Sequence, residues 1–179
     1  MRFGVRGPSL GAVVLLALLV LALLRGCDDN GDDGSRRGGG ATPAGREAAG
    51  DVVEVTDGDT IEVSLPEGVE DVRYIGVDTP EVDPNIGVEC FGSEASKLNA
   101  ELVKGRRVRL VFDAERRDKY GRLLAYVYVG KTFVNAELLR RGAARTLTIS
   151  PNDSFAQRFA RIAQDAANAG RGLWGACGT

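Results

Sequence analysis

The chain has 179 residues, of which 44% are hydrophobic and 27% are charged, and its formal net charge is −2. This length suits one domain with extensions, and the composition is that of a globular protein. Because the chain contains no histidine, it excludes both a His-ligated zinc site and a Ser-His-Asp triad. A general base near neutral pH must then be a carboxylate, a metal-bound hydroxide, a lysine or a cysteine.

The N-terminal 27 residues combine a basic start with a long apolar run. Arg2 and Arg6 precede the mostly aliphatic stretch over residues 10–24, which is typical of an export signal. The stretch is also about long enough to cross a bilayer as a retained anchor. A third alternative is a lipoprotein signal, in which Cys27 would be lipidated. Each alternative predicts a protein that is secreted, or anchored to the membrane on the outer face of the cell.

Residues 28–50 are rich in Gly, Asp and Ala and contain no large apolar side chain. Burial in such a segment cannot offset the entropy lost on ordering, so we expect a disordered linker. The folded domain is predicted to occupy residues 51–179.

Five strands are predicted within this domain. Branched residues flank the Asp-Gly pair of the turn at residues 56–59 on both sides, which is a strong hairpin signal. Three further runs of branched and aromatic residues predict strands over residues 72–77, 108–112 and 123–129.

Three helices are predicted between and after these strands. Ser93 is a candidate N-cap for a helix ending at residue 103, and Asn135 for a helix ending at residue 141. The third follows Asp153, with apolar residues at helical spacing. The order of elements predicts an α+β fold, a five-stranded Greek-key β-barrel of the OB-fold type with three helices.

Three polar clusters suggest the chemistry of the domain. They are residues 57–60 (DGDT), residues 78–81 (DTPE) and residues 118–122 (DKYGR). Each cluster alone could be an ordinary turn, strand end or loop. Together they meet the needs of phosphodiester hydrolysis without histidine, which are oxygen ligands for a hard cation, a carboxylate base, and arginines for the phosphate.

The domain closely resembles the staphylococcal nuclease (thermonuclease) family over residues 51–175. The matching stretches are VTDGDTIEV, VRYIGVDTPE, VECFGSEAS, DKYGRLLAYVYV and FVNAELLRRGAA. The resemblance implies an OB-fold barrel and calcium-dependent cleavage of DNA and RNA by attack of water on phosphorus. An OB-fold that binds nucleic acid without cutting it is the alternative, but such a module has no need of the complete set of carboxylates and arginines.

The resemblance also implies a role for each residue of the site. Asp59 and Asp78 would bind Ca²⁺ through their carboxylates, and Thr79 would bind it through its backbone carbonyl. Glu81 corresponds to the proposed general base. The phosphate would be held by Arg73 and Arg122, with Arg122 also assisting the leaving oxygen.

The substrate-binding residues are less completely matched. Lys119 and Tyr120 are candidate substrate contacts, and the alternative for Tyr120 is simple packing on Arg122. The segment at residues 145–150 lacks the tyrosines that bind nucleotides in the family. Because stacking contributes about 1–3 kcal/mol per base, we expect weaker binding of single nucleotides than in the type member.

The predicted export of the protein bears on the state of its cysteines. Because thiols outside the cytoplasm tend to pair, we expect a disulfide between Cys90 and Cys177. The alternative is two free buried thiols. The sequence indicates no protein partner, and we expect a monomer.

Overall fold

The computed structural model describes residues 47–83 and 87–178, together with the isolated position Gly4. The predicted signal or anchor segment, Cys27 and most of the predicted linker lie outside these residues. Within the described part of the chain, no helix has the length and hydropathy needed to cross a membrane.

The described domain alternates short strands with four helices. In chain order the elements are β1 Glu47–Val55, β2 Thr60–Leu65, β3 Gly68–Tyr74, β4 Gly76–Asp78, β5 Val82–Asp83, β6 Gly87–Val88, α1 Gly92–Val103, β7 Arg107–Val111, β8 Leu123–Val129, β9 Thr132–Phe133, α2 Val134–Arg140, β10 Arg145–Leu147, α3 Ala156–Asn168 and α4 Leu173–Ala176.

Five of these strands form a closed barrel. The order β3-β2-β1-β7-β8 is antiparallel at every step, and the parallel pairing of β3 with β8 closes the ring. Two smaller antiparallel pairs, β4 with β10 and β5 with β6, lie outside it. The predicted five-stranded OB-fold barrel with three helices is confirmed, and α4 is an additional single turn.

Alternating burial along the strands creates the core. On β2, Ile61 and Val63 point inward and Ser64 is exposed, as expected for a strand with one face on the core. The helices close the barrel with aromatic contacts. The ring of Phe155 lies 4.6 Å from that of Tyr126 on β8, in the edge-to-face geometry that aromatic pairs favour.

The predicted third strand is interrupted at residue 75. Gly76 has a φ of +80°, and a Cβ at this position would lie 2.6 Å from the ring of Phe159. Glycine accepts this conformation and this close approach, whereas a larger residue would not. The break separates β3 from β4 and allows the side chain of Arg73 to reach the backbone of Val77, with Nη1 2.8 Å from the carbonyl oxygen.

Other element boundaries differ from prediction for identifiable reasons. The first strand begins at Glu47, ahead of the predicted domain start at residue 51, because residues 47–50 pair with β7. The helix α1 begins at Gly92, after Phe91 in a left-handed conformation, so the prediction of Ser93 as its cap is wrong.

Asn135 is likewise wrong as a helix cap. It is fully buried inside α2, which begins at Val134. Its side chain instead joins β8 to the turn between β3 and β4, because its Oδ1 accepts from the amide of Val127 at 2.9 Å and its Nδ2 donates to the carbonyl of Ile75 at 2.9 Å.

Candidate active site

The turn between β1 and β2 is held rigidly against the rest of the barrel. The Asp57 side chain accepts a hydrogen bond from the amide of Asp59 at 2.9 Å, and Asn99 of α1 donates to the carbonyl of Asp57 at 2.9 Å. At Gly58, a Cβ would lie 2.6 Å from Oγ1 of Thr79. The turn therefore needs glycine at this position to bring Asp59 against the 78–81 segment.

Asp59 is a buried carboxylate, only 4% exposed. Its Oδ2 accepts two hydrogen bonds from Thr79, from the amide at 2.8 Å and from the hydroxyl at 3.0 Å. Its Oδ1 lies 3.0 Å from Nη1 of Arg73. The structure thus brings the first and second polar clusters into direct contact.

Arg73 connects the two carboxylates predicted to bind a metal. Its guanidinium lies 3.0 Å from Asp59 and 2.9 Å from Asp78, with Nη1 on the first and Nη2 on the second. Asp78 is about half exposed, whereas Arg73 is largely buried. In this network, the single positive charge of Arg73 is shared by the negative charges of Asp59 and Asp78.

The pKa of Asp59 reflects this shortage of positive charge. Burial raises it to about 7, Arg73 opposes the rise, and the nearby charge of Asp57 adds to it. A buried carboxylate that retains its charge needs a compensating cation. The site is therefore one where an additional cation would stabilise the ionised form.

The oxygen atoms at this position are of the chemical type that binds a hard divalent cation. The carboxylates of Asp59 and Asp78 and the carbonyl of Thr79 are the oxygen ligands that Ca²⁺ prefers, and water commonly supplies its other ligands. Among residues 47–83 and 87–178, no group of three or more Asp, Glu, His or Cys side chains is close enough to hold a metal ion.

Glu81 is exposed and lies two residues after Thr79 in the chain. Partial desolvation and the negative charge of Asp57 raise its pKa, while Arg73 lowers it. Its backbone amide donates to Oε2 of Glu89 at 3.1 Å, and its carbonyl accepts from the amide of Glu89 at 3.0 Å.

A cleft of about 480 Å³ lies beside the network. Both predicted phosphate ligands, Arg73 and Arg122, line it, as do both candidate substrate contacts, Lys119 and Tyr120. Asp59, Asp78 and Glu81 are not among its lining residues. Arg73 therefore belongs to both the carboxylate network and the cleft.

Asp118 organises the third cluster. Its Oδ1 accepts from the amides of Tyr120 and Arg122 at 2.9 and 3.0 Å, and its Oδ2 lies 2.8 Å from Nε of Arg122. Tyr120 is 73% exposed, and its ring centre lies 5.5 Å from the guanidinium of Arg122 and 4.9 Å from Nζ of Lys119. Tyr120 thus contacts Arg122 and still presents most of its ring to solvent.

Apolar side chains also line the cleft. Leu147 and Ile149 line it and are exposed, at 38% and 62%. They come from the segment that lacks aromatic residues. A base entering the cleft would meet aliphatic groups on this side.

Three residues that organise the site were not identified from the sequence. Asn99 is fully buried, and it joins the hydroxyl of Tyr74 at 2.9 Å to the turn at Asp57. The signal available in the sequence was that Asn99, a polar residue, lies on the apolar face of α1. Asp118 lay within a recognised cluster, whereas nothing local distinguishes Glu89.

The predicted disulfide is present in the structure, where Cys90 is bonded to Cys177. The bond joins the segment before α1 to the residue that follows α4.

Comparison with known proteins identifies similar sequences. A family model described as staphylococcal nuclease homologue matches residues 71–176. The SPbeta prophage-derived endonuclease YokF of Bacillus subtilis is 43% identical over 132 residues, covering 69% of this chain and 45% of that protein. The thermonuclease of Staphylococcus hyicus is 39% identical over 124 residues, covering 69% of this chain and 73% of the relative. The endonuclease YncB of Bacillus subtilis is 44% identical over 125 residues, covering 68% and 59%. The chain thus spans less than half of the length of YokF.

Proposed function

The chain belongs to the staphylococcal nuclease family, and from this membership we propose that it is a calcium-dependent nuclease that hydrolyses phosphodiester bonds in DNA and RNA. The observation that carries the proposal is the shared position of Arg73. Its guanidinium contacts both Asp59 and Asp78. Arg73 also lines the cleft, and Arg122 lines the same cleft. A phosphate bound between the two arginines would therefore lie beside the carboxylates.

The two arginines hold the scissile phosphate in this proposal. Guanidinium groups stay charged at every relevant pH and can each give two parallel hydrogen bonds to phosphate oxygens. Asp118 fixes the orientation of Arg122 through the 2.8 Å contact at Nε, which leaves its terminal nitrogens for the substrate. Positive charge placed in advance where negative charge develops is usually the largest catalytic contribution.

Glu81 accepts the proton of the attacking water at its carboxylate. Its raised pKa makes it a stronger base than an ordinary glutamate. The exposure of the side chain is compatible with access by water.

Asp59, Asp78 and the carbonyl of Thr79 would hold the calcium ion. When bound, calcium supplies positive charge that polarises a phosphate oxygen. Arg73 now balances the two carboxylates, so a divalent cation there would release its guanidinium for the phosphate.

The proposal extends to location and assembly. Residues 1–27 would act as a signal peptide, a lipoprotein signal modified at Cys27, or a membrane anchor, and residues 28–46 would connect them to the domain. The enzyme would then act outside the cytoplasm, as a monomer.

Digestion of plasmid DNA and of single-stranded RNA tests the function. The full chain is incubated with each substrate in millimolar calcium or in excess chelator, and the products are separated by electrophoresis. We expect cleavage of both substrates with calcium only. Absence of cleavage in calcium would contradict the proposal, and tight binding without cleavage would support a non-catalytic OB-fold module instead.

Two variants test the assigned roles. Glu81→Gln removes the base and should lower kcat by about 10²–10⁴-fold, the usual contribution of general base catalysis. Arg122→Ala should lower kcat by about 10²–10³-fold, as loss of one oriented donor does elsewhere. Glu101→Gln, at an exposed position of α1, is the matched control and should retain full activity.

A further inference from the structure

Glu89 holds the backbone of Glu81 from both sides. The carboxylate of Glu89 accepts from the amide of Glu81 at 3.1 Å, and the amide of Glu89 donates to the carbonyl of Glu81 at 3.0 Å. The second contact continues the pairing of β5 with β6, whereas the first is a side-chain contact that a regular ladder does not supply. Both peptide groups that flank Cα of Glu81 are therefore bonded to one residue.

The pair of strands next to Glu81 is too short to hold its own position. It consists of the partners Val82–Val88 and Asp83–Gly87, and both valines are exposed. Even a complete two-stranded hairpin is marginally stable at best in water. The position of Glu81 must therefore depend on contacts outside this pair.

The disulfide provides such a contact from the residue next to Glu89. Cys90 is bonded to Cys177, whose amide donates to the carbonyl of Leu173 at 3.0 Å. Leu173 is fully buried, and its own amide donates to the carbonyl of Gly142 at 2.9 Å. The crosslink thus connects Glu89 to a part of the fold that is fixed by core packing.

The chain after Cys90 turns directly onto Glu81. Phe91 has a φ of 72°, and the amide of Gly92 donates to the carbonyl of Glu89 at 2.9 Å. A Cβ on Gly92 would lie 2.7 Å from the carbonyl oxygen of Glu81. The 89–92 segment therefore encloses the backbone of Glu81 without spare room.

We propose that Glu89 is a positioning residue for Glu81 and that the Cys90–Cys177 disulfide is the anchor from which it acts. This inference rests on the proposed function, in which Glu81 activates the water. A displacement of about 1 Å in a reacting group can cost about 10²-fold in rate. Loosening the contact should therefore reduce turnover. It should leave substrate affinity unchanged, because Glu89 does not line the cleft.

The substitution pair Glu89→Ala and Glu89→Gln separates positioning from charge. Glutamine retains an oxygen acceptor for the amide of Glu81, whereas alanine has none. We expect kcat to fall about 10–100-fold in Glu89→Ala, with KM within twofold of the wild-type value, and to recover most of this loss in Glu89→Gln. Glu101→Ala, which removes an exposed carboxylate from α1, is the control and should change neither parameter.

The anchor is tested with the double variant Cys90→Ala/Cys177→Ala, assayed at a temperature where circular dichroism shows it to be folded. Its kcat should fall by a similar factor, and adding Glu89→Ala should lower kcat little further, because the substitutions act through the same contact. Additive losses would overturn the role of the disulfide.

A measurement independent of catalysis distinguishes failure of this inference from failure of the proposed function. The NMR amide shift of Glu81 should move to that of an unbonded amide in Glu89→Ala and stay close to wild type in Glu89→Gln. If the wild-type chain does not cleave nucleic acid in calcium, the proposed function fails, and the catalytic role of Glu89 fails with it. If the wild-type chain cleaves but Glu89→Ala is fully active, or Glu89→Gln loses as much kcat as Glu89→Ala, only the positioning role is overturned.

Discussion

Among the single residues that the structure describes, Asp59 is the only charged one that is buried, and it shares the guanidinium of Arg73 with Asp78. Its pKa is raised from the ordinary value of 3.8 to about 7, chiefly by burial. The folded protein therefore binds a proton more tightly than the unfolded chain does. By linkage, this group contributes stability that is fully present below about pH 4 and is lost as the pH rises through 7.

Asp59→Asn should consequently stabilise the metal-free protein at pH 8. The amide removes the buried charge and keeps an oxygen for the hydrogen bonds from Thr79, so we expect the free energy of unfolding to rise by a few kcal/mol. At pH 5 the difference should be much smaller, because the folded wild-type carboxyl is then protonated and only the ionisation of Asp59 in the unfolded chain still contributes. Urea denaturation in chelator at both pH values measures the effect, with Asp71→Asn at an exposed position as control.

Calcium supplies the complementary measurement. It should raise the stability of the wild-type protein and leave that of Asp59→Asn nearly unchanged. Lower stability of Asp59→Asn than of wild type at pH 8 in chelator would contradict the assignment of a costly buried charge.

Ile149 lines the cleft and is 62% exposed, so a larger side chain at this position tests whether bases enter the cleft. Ile149→Tyr places a second aromatic ring in the lining of the cleft, which already includes Tyr120, and stacking contributes about 1–3 kcal/mol per base. We therefore expect the affinity for a single nucleotide bearing two phosphates to rise by roughly 5–150-fold. Titration calorimetry measures the change, and Val53→Tyr, at another exposed position, is the control. Unchanged affinity in Ile149→Tyr would show that the base of the nucleotide does not contact residue 149.

The site residues that the sequence predicts are those that stand in a local motif. Asp59, Asp78 and Arg122 stand in recognisable clusters at strand ends. Asn99 could not be assigned from sequence, because its partners Asp57 and Tyr74 lie at least 25 residues away in the chain. Glu89 escaped notice for a related reason, since its contact with Glu81 exists only once β5 and β6 pair.

At the scale of elements, the start of β1 determines how much of the chain the barrel requires. Residues 47–50 pair in register with residues 108–111 of β7, and Glu47 forms an ion pair with Arg109 at 2.9 Å. These contacts belong to the barrel wall. The linker therefore ends before residue 47.

A chain that begins at residue 51 should be less stable than one that begins at residue 47. Loss of the ladder removes several backbone hydrogen bonds, each contributing about 0.5–1.5 kcal/mol net, so we expect a decrease of roughly 1–3 kcal/mol in the free energy of unfolding. Urea denaturation of the two truncated chains and the full chain measures it. Equal stability of the chains beginning at 47 and 51 would show that these pairs contribute nothing.

Strand propensity explains why this start was missed. Glu, Ala and Gly are depleted in strands, so residues 47–50 are ordered by their partner strand rather than by their own preference. Within the barrel, by contrast, β2 and β8 were predicted correctly, because their branched and aromatic residues agree with the burial that the fold imposes. At this edge of the domain, tertiary pairing overrode the local sequence preference.

On the scale of the whole molecule, the disulfide spans half of the chain. Its cysteines are 87 residues apart in sequence. In the chain-entropy model, a loop of this length stabilises the folded state by about 4–5 kcal/mol.

The variant Cys90→Ala/Cys177→Ala should therefore lose about 4 kcal/mol of unfolding free energy in urea denaturation. The single variant Ser96→Ala on α1 serves as a control for substitution near the first cysteine. A loss below about 1 kcal/mol would mean that the unfolded chain is already compact in this region.

The closed barrel was predicted from the order of elements and from the family resemblance, not from any local signal for the strand pair that closes it. Hairpin signals indicate that β1 pairs with β2, but no local feature indicates that β3 lies parallel to β8. That pairing joins Val72 to Leu123 and Arg73 to Leu124, across about 50 residues of chain.

The same pairing has a consequence for refolding. The register that joins β3 to β8 also brings Arg73 beside the strand that Arg122 precedes. The two arginines proposed to bind phosphate therefore meet only when the ring closes. Contacts between residues distant in sequence form slowly, because the entropy of loop closure must first be overcome. During renaturation, catalytic activity should therefore return with the slowest structural phase, after most secondary structure has formed. The recovery of substrate cleavage with time would then report the rate at which the barrel closes.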